Sequence, residues 1–270
     1  MRISISNLAW DREEDEQIAV LLNSRGINAI DIAPGKYFPD PPAATSDDIL
    51  AIRQWWLERG IEVVGMQALL FGTTGLNVFG PADVQDKMLA HLRAICKIGN
   101  KIGARKLTFG SPKNRDCSGV PAEQSMDMAT SFFLRLGDIA ESEGVWICLE
   151  PNPIRYGANF MTNSAETAAV VRAVSHPAIK MQLDTGAMAI NGEDPEATLS
   201  TCGELIGHVH LSEPDLVPLG DGGVEHESYS AAIKKELPEY IATIEMLATK
   251  EEPHSISVER AIGVARQYYE

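Results

Sequence analysis

Along this chain, short runs that are apolar at almost every position alternate with longer stretches whose apolar residues recur three or four apart. The short runs have the length and composition of strands, and those apolar throughout read as strands buried on both faces of a parallel sheet. They are expected at Arg2–Ser6, Ile27–Ile32, Ile61–Gln67, Lys106–Phe109, Val145–Glu150, Ile179–Asp184, Leu205–His210 and Tyr240–Glu245. The longer stretches predict helices at Asp11–Ser24, Asp47–Glu58, Ala82–Ile102, Pro121–Ser142, Ser164–Val174, Pro195–Cys202, Ser228–Lys235 and Ser255–Tyr268. Ser46 and Ser164 stand where N-caps belong, and Gly26 and Gly60 where helices stop. Eight strand–helix pairs with no linker predict an α/β protein, a single (β/α)8 TIM barrel over residues 1–270, with an open doubly wound sheet as the second choice.

Composition narrows the class of function. The 270 residues are 44% hydrophobic, ample for one large core, and carry a formal net charge of -15. That charge argues against nucleic acid or an anionic membrane as partner, since either would need a basic face. Cys96, Cys117, Cys148 and Cys202 are scattered without a C-x-x-C pair and read as reduced thiols. No run approaches the ~20 apolar residues of a membrane span, and the first residues read as a strand rather than a signal peptide, so the expected location is cytoplasmic.

Candidate chemistry gathers at the C-terminal ends of four consecutive predicted strands, which finish on Glu150, Asp184, His210 and Glu245. In a barrel these ends meet at the mouth where sites are built. Singly, each is more often a cap or a surface charge. Together, three carboxylates and one imidazole make an oxygen-rich set suited to a divalent ion, Mn2+ above all, with Co2+, Mg2+ or Zn2+ as alternatives. His208 lies two residues before His210 on the same side of the strand, deeper in the barrel, and is expected to support the site rather than ligate. Trp10, Gln67 and Phe109 are expected to line the mouth and Glu213 to orient ligand or substrate. Lys113 and Arg115, helped by Lys36, follow predicted strands four and two and are expected to hold an anionic group of the substrate.

The sequences Leu149-Glu150-Pro151, Leu183-Asp184-Thr185, His208-Val-His210-Leu-Ser-Glu213 with Gly220-Asp-Gly222, and Glu245 give the chain a marked resemblance to the xylose isomerase-like superfamily of barrels. That superfamily includes ketose 3-epimerases, hydroxypyruvate isomerases, inosose dehydratases and endonuclease IV-type nucleases. The resemblance implies that Glu150, Asp184, His210 and Glu245 are its metal tetrad. Gly110-Ser-Pro-Lys-Asn-Arg115 and Glu150-Pro-Asn-Pro153, with Tyr156-Gly157 and Asn159-Phe160, are similar to a branch described as sugar phosphate isomerase/epimerase. The chain departs from ketose 3-epimerases at Ala187, Gly157 and Leu216, where that family carries sugar-contacting His, Glu and Arg. The acidic charge and scarcity of strand-end histidines set it apart from the nucleases.

What the resemblance implies is metal-dependent isomerisation or epimerisation of a sugar, sugar phosphate or related hydroxy-carbonyl compound through an enediolate. Glu150 and Glu245 would each give one oxygen to the metal and keep the other near the substrate carbon, as acid and base. A lyase or dehydratase on the same scaffold, and a sugar-binding barrel without catalysis, are the alternatives. Barrels of this kind often pair, so a homodimer is among the expected assemblies.

Overall fold

The computed structural model describes residues 1–270. Its strands are β1 (Arg2–Ser6), β2 (Ala29–Ile32), β3 (Glu62–Met66), β4 (Lys106–Phe109), β5 (Trp146–Leu149), β6 (Ile179–Asp184), β7 (Ile206–Ser212) and β8 (Ile241–Glu245). They pair in chain order, all parallel, and β8 closes on β1. The expected closed barrel is therefore the observed one. The helices are α1 (Asp15–Ser24), α2 (Ser46–Glu58), α3 (Ala82–Ile102), α4 (Ala122–Ser142), α5 (Ser164–Val174), α6 (Thr185–Asn191), α7 (Pro195–Cys202), α8 (His226–Glu236) and α9 (His254–Tyr269).

The apolar core is the layer between sheet and helices. Helix α3 buries Leu89, Leu92, Ile95, Cys96, Ile98 and Ile102 on one stripe, and α4 buries Phe132, Phe133 and Leu136. Phe109 of β4 meets Phe133 edge to face, with ring centroids 5.3 Å apart. Each such side chain, fully buried, stabilises the fold by about 1.5–3 kcal/mol. The barrel interior is more polar than the branched aliphatic filling common in this fold. Ser4 bonds Thr243 across β1 and β8 at 2.6 Å, and Thr108 donates to Gln182 at 3.2 Å. Asp31, His208 and His210 are also fully buried.

Two register slips shape that interior. Between β2 and β3 the pairing moves from Ile30↔Val63 to Asp31↔Gly65, leaving Val64 without a partner. Between β6 and β7 it moves from Met181↔Ile206 to Gln182↔His208, leaving Gly207 as the extra residue. Bulges of this kind re-aim the side chains that follow them.

Several local expectations are corrected. Thr45, not Ser46, caps α2: its hydroxyl accepts the Asp48 N–H at 3.2 Å while the Asp48 carboxylate accepts the Thr45 N–H at 3.2 Å. Asn163, not Ser164, caps α5 by accepting the Glu166 N–H at 2.9 Å. Pro121 precedes α4 rather than opening it. The short helix α6 was not expected at all; Asp184 caps it and Gly192, at φ 65°, ends it.

Candidate metal centre and active site

Four chain segments deliver Glu150, Asp184, His210 and Glu245 to one point. Glu150 is the residue after β5, Asp184 and Glu245 close β6 and β8, and His210 sits inside β7. One ligand atom from each lies within 4.8 Å of all the others. His210 Nδ1 is 3.0 Å from Glu245 Oε2 and 4.0 Å from Glu150 Oε1. Asp184 Oδ1 accepts the Ala187 N–H at 2.7 Å and the Ser212 hydroxyl at 2.8 Å, the first being the cap of α6. The positive end of that helix therefore faces the carboxylate.

This crowding is electrostatically costly. Burial, then repulsion from Glu245 and Asp184, pushes the Glu150 carboxyl up to about 8. Burial and Glu245 push Asp184 up to about 6. Burial alone would disfavour the His210 imidazolium, but Glu245 and Asp31 outweigh it and hold its pKa well above 6.5. Three mutually repelling carboxylates and an imidazole converging on one point are a donor set suited to a divalent ion. The residues fit the group.

The surroundings are built to hold these groups still. A Cβ on Gly110 would lie 1.8 Å from Glu150 Oε2, so only glycine leaves that carboxylate its place. Asn152 Nδ2 donates to Glu150 Oε2 at 2.9 Å and to the Gly110 carbonyl at 2.7 Å. Beneath His210, the Asp31 carboxylate lies 3.4 Å from its Nε2 and 2.5 Å from Nε2 of His208. His208 is thus linked to the site through Asp31. With Nε2 of His210 turned to Asp31, Nδ1 is the atom that faces the carboxylates. Gly65 makes this possible, because a Cβ there would stand 2.5 Å from the Asp31 oxygens.

Asp31, Gly110 and Asn152 were missed in the sequence. Asp31 left a signal, a carboxylate inside the otherwise apolar run Ala29-Ile-Asp-Ile32. Asn152 lies in Glu150-Pro-Asn-Pro153, where nothing in the sequence marks it as the partner of Glu150.

Above the cluster opens a cavity of about 550 Å³. Its floor carries Glu150, Asp184 and Glu245, its sides Gln67, Ser111, Asn152, Tyr156 and Asp215, and its apolar part Leu8, Phe71, Leu216 and Leu247. Gln67 and Phe109 line it as expected, Gln67 donating to Ser6 Oγ at 2.5 Å. The other expected substrate contacts are corrected. Trp10 is fully buried, its indole N–H given to Asp15 at 2.8 Å. Lys36 spends its ammonium on the carbonyls of Asn7 (2.6 Å) and Trp10 (2.5 Å), where burial lowers its pKa. Arg115 is fully buried and donates to the Glu150 carbonyl at 2.6 Å; burial lowers its pKa to about 10. Glu213 is buried as the clasp of the loop after β7, accepting N–H groups from Gly220 (2.8 Å) and Val224 (3.0 Å) and pairing with His226 at 3.0 Å. Lys113 is exposed on the loop after β4 and lies outside the lining. No lysine or arginine lines the cavity, so the expected anion clamp is not formed.

The family model described as xylose isomerase-like TIM barrel matches residues 20–265. An L-ribulose 3-epimerase from Methylomonas sp. (strain DH-1) is 34% identical over 117 residues, 43% of this chain and 41% of the relative's length. The chain thus matches less than half of that relative. Among solved structures, the barrel is similar to D-psicose 3-epimerase from Clostridium cellulolyticum H10, crystallised with D-tagatose. That likeness has TM-score 0.82 and 18% identity over 100% of both chains. It is also similar to 3-keto-D-glucoside 4-epimerase from E. coli, with TM-score 0.82, 15% identity and 99% of both chains covered. At these identities the structural likeness speaks for the fold.

Proposed function

The chain belongs to the family of xylose isomerase-like TIM barrels, and from that premise we propose that it is a divalent-metal-dependent epimerase of a neutral hydroxy-carbonyl sugar. The observation that carries this reading is the convergence of Glu150 and Glu245, from well-separated strands β5 and β8, on one ligand cluster at the floor of a cavity. Glu150, Asp184, His210 and Glu245 would hold the ion. When bound, it supplies Lewis-acid polarisation of a substrate carbonyl, and Mn2+ is the first choice for so oxygen-rich a set.

The rest is the work of the side chains. One of Glu150 and Glu245 takes the proton from the carbon beside the carbonyl, leaving an enediolate. The other returns a proton to the same carbon from the opposite face, which inverts that centre. Positions on separate strands suit a two-face exchange better than return to one face, and so favour epimerisation over aldose–ketose isomerisation. Asn152 orients Glu150, and the Asp31–His210 contact fixes the imidazole. The lining without lysine or arginine supports a neutral sugar over a sugar phosphate. The 34% identity over 117 residues to a protein named L-ribulose 3-epimerase supports the same reaction class.

The test is exchange in D2O. Mn2+-loaded protein should place deuterium on the carbon next to the carbonyl of a ketose in a panel of free and phosphorylated sugars, with the epimer appearing in parallel. Exchange should stop with chelator. A panel in which no sugar exchanges, although calorimetry shows the metal bound, would overturn the reading.

A further inference from the structure

The cavity is larger than a free monosaccharide needs, and its excess is apolar. A hexose displaces on the order of six water volumes at roughly 30 Å³ each, about 180 Å³. The cavity offers about 550 Å³. The polar floor accounts for the smaller share. The cavity's apolar lining includes Leu8, Leu216, Leu247 and the exposed Phe71.

This wall is constructed. The Leu247 N–H donates to the Leu216 carbonyl at 2.9 Å, and the Ala248 N–H to the Leu8 carbonyl at 2.8 Å, so loops after β1, β7 and β8 are tied side by side. Asp215 and Leu216 adopt left-handed backbone at φ 61° and 52°, a conformation unfavourable for a leucine. Such strain persists only where the surroundings enforce it, and it concentrates at binding sites. Here Glu213 anchors the loop from within. Ala68 at φ 56° turns the loop that presents Phe71, which is 86% exposed, and Leu247 is 47% exposed.

Resting on the epimerase reading, we propose that the substrate is an extended neutral keto-sugar, a keto-glycoside whose hydroxy-carbonyl ring meets the carboxylate floor. Its aglycone or second ring lies on the Leu8–Leu216–Leu247 wall and under Phe71. Burying an apolar group there removes apolar area from water on both partners, and an aromatic ring offers its face to the C–H side of a ring.

Phenyl 3-keto-β-D-glucopyranoside, D-fructose and D-psicose are compared as substrates for Mn2+-loaded protein in D2O. The expected kcat/KM for deuterium exchange is at least tenfold higher for the phenyl glycoside. In Phe71→Ala and Leu247→Ala that ratio should fall at least fivefold, chiefly through KM. Both side chains are substantially exposed, so the variants keep the fold. Exchange that is equal or better with the free ketoses overturns the extended-substrate inference and leaves the epimerase reading standing. An unchanged ratio in both variants overturns it as well. Exchange with none of the sugars overturns the epimerase reading and this inference with it.

Discussion

At the scale of single residues, the site is a balance of charge that a cation resolves. Glu150, with its carboxyl raised to about 8, retains its proton near neutrality in the metal-free protein, and Glu245 and Asp31 shift His210 in the same proton-retaining direction. Ligation requires that such protons leave. Metal binding at pH 7, followed by calorimetry in buffers of different ionisation heat, should therefore release at least one proton per ion. Release of none would mean that the cluster is already deprotonated. The sign for stability follows: the fold binds these protons more tightly than the unfolded chain does, so the metal-free protein loses stability as pH rises. For Glu150 the loss accumulates from about pH 4.5 to about 8. Thermal scans with chelator should show a lower Tm at pH 8 than at pH 5. Asp31→Asn should lower Tm, because a buried carboxylate paired with two imidazoles loses its charge, and should weaken Mn2+ binding by about 10–100-fold, because the charge that orients His210 is lost. The four-residue cluster was legible because each member stands at or near the C-terminal end of a strand pattern. Asp31 was not, since mid-strand charge gives no hint of which face it takes. Lys36 and Arg115 were misread because position in a loop does not say whether a long side chain turns outward or back to a carbonyl.

At the scale of elements, the loops after the strands carry the shape of the site. Glu213 accepts two backbone N–H groups and pairs with His226, and these bonds outweigh burial to keep its pKa below the usual glutamate value. Its stabilisation is thus present above about pH 4.5 and lost as pH falls through its own lower pKa. Glu213→Ala should lower Tm by several degrees, since buried partners are left unsatisfied at about 1–3 kcal/mol each. Hydrogen exchange should localise the loosening to residues 213–225. Unchanged protection there would show that the clasp is dispensable. Helix α6 escaped the sequence reading because it is a seven-residue element whose start coincides with a presumed ligand, Asp184. The two caps were displaced by one place because Thr45-Ser46 and Asn163-Ser164 each offer two competent residues, and local geometry decides between them.

For the molecule as a whole, the alternation of strand and helix patterns was enough to anticipate the closed barrel, because few topologies bury eight such strands. The polar barrel interior was less legible: Ser4, Thr108, Gln182 and Thr243 are small departures inside apolar runs. The net charge of -15 acts over the whole surface. It attracts divalent cations and opposes anionic substrates, and both effects weaken with salt. Mn2+ at a hundred times its Kd should stabilise the fold by about 2.7 kcal/mol. For a chain of this size that corresponds to a Tm rise on the order of 5–10 °C. Asp184→Asn should abolish most of the rise, and retention of it would place the ion elsewhere.

The slips in register have a consequence for anyone engineering this barrel. With β2 and β3 in even register, Asp31 would face Val64, whose branched side chain would compete for the space that Gly65 leaves. With β6 and β7 in even register, Asp184 would stand level with Val209, not His210. Removing one residue from β3 or β7 to regularise the sheet would produce the kind of backbone that designers favour for stability. It would also take apart the alignment on which the ligand cluster depends. In this chain, hardening the scaffold by idealising its strands and keeping its chemistry are alternatives.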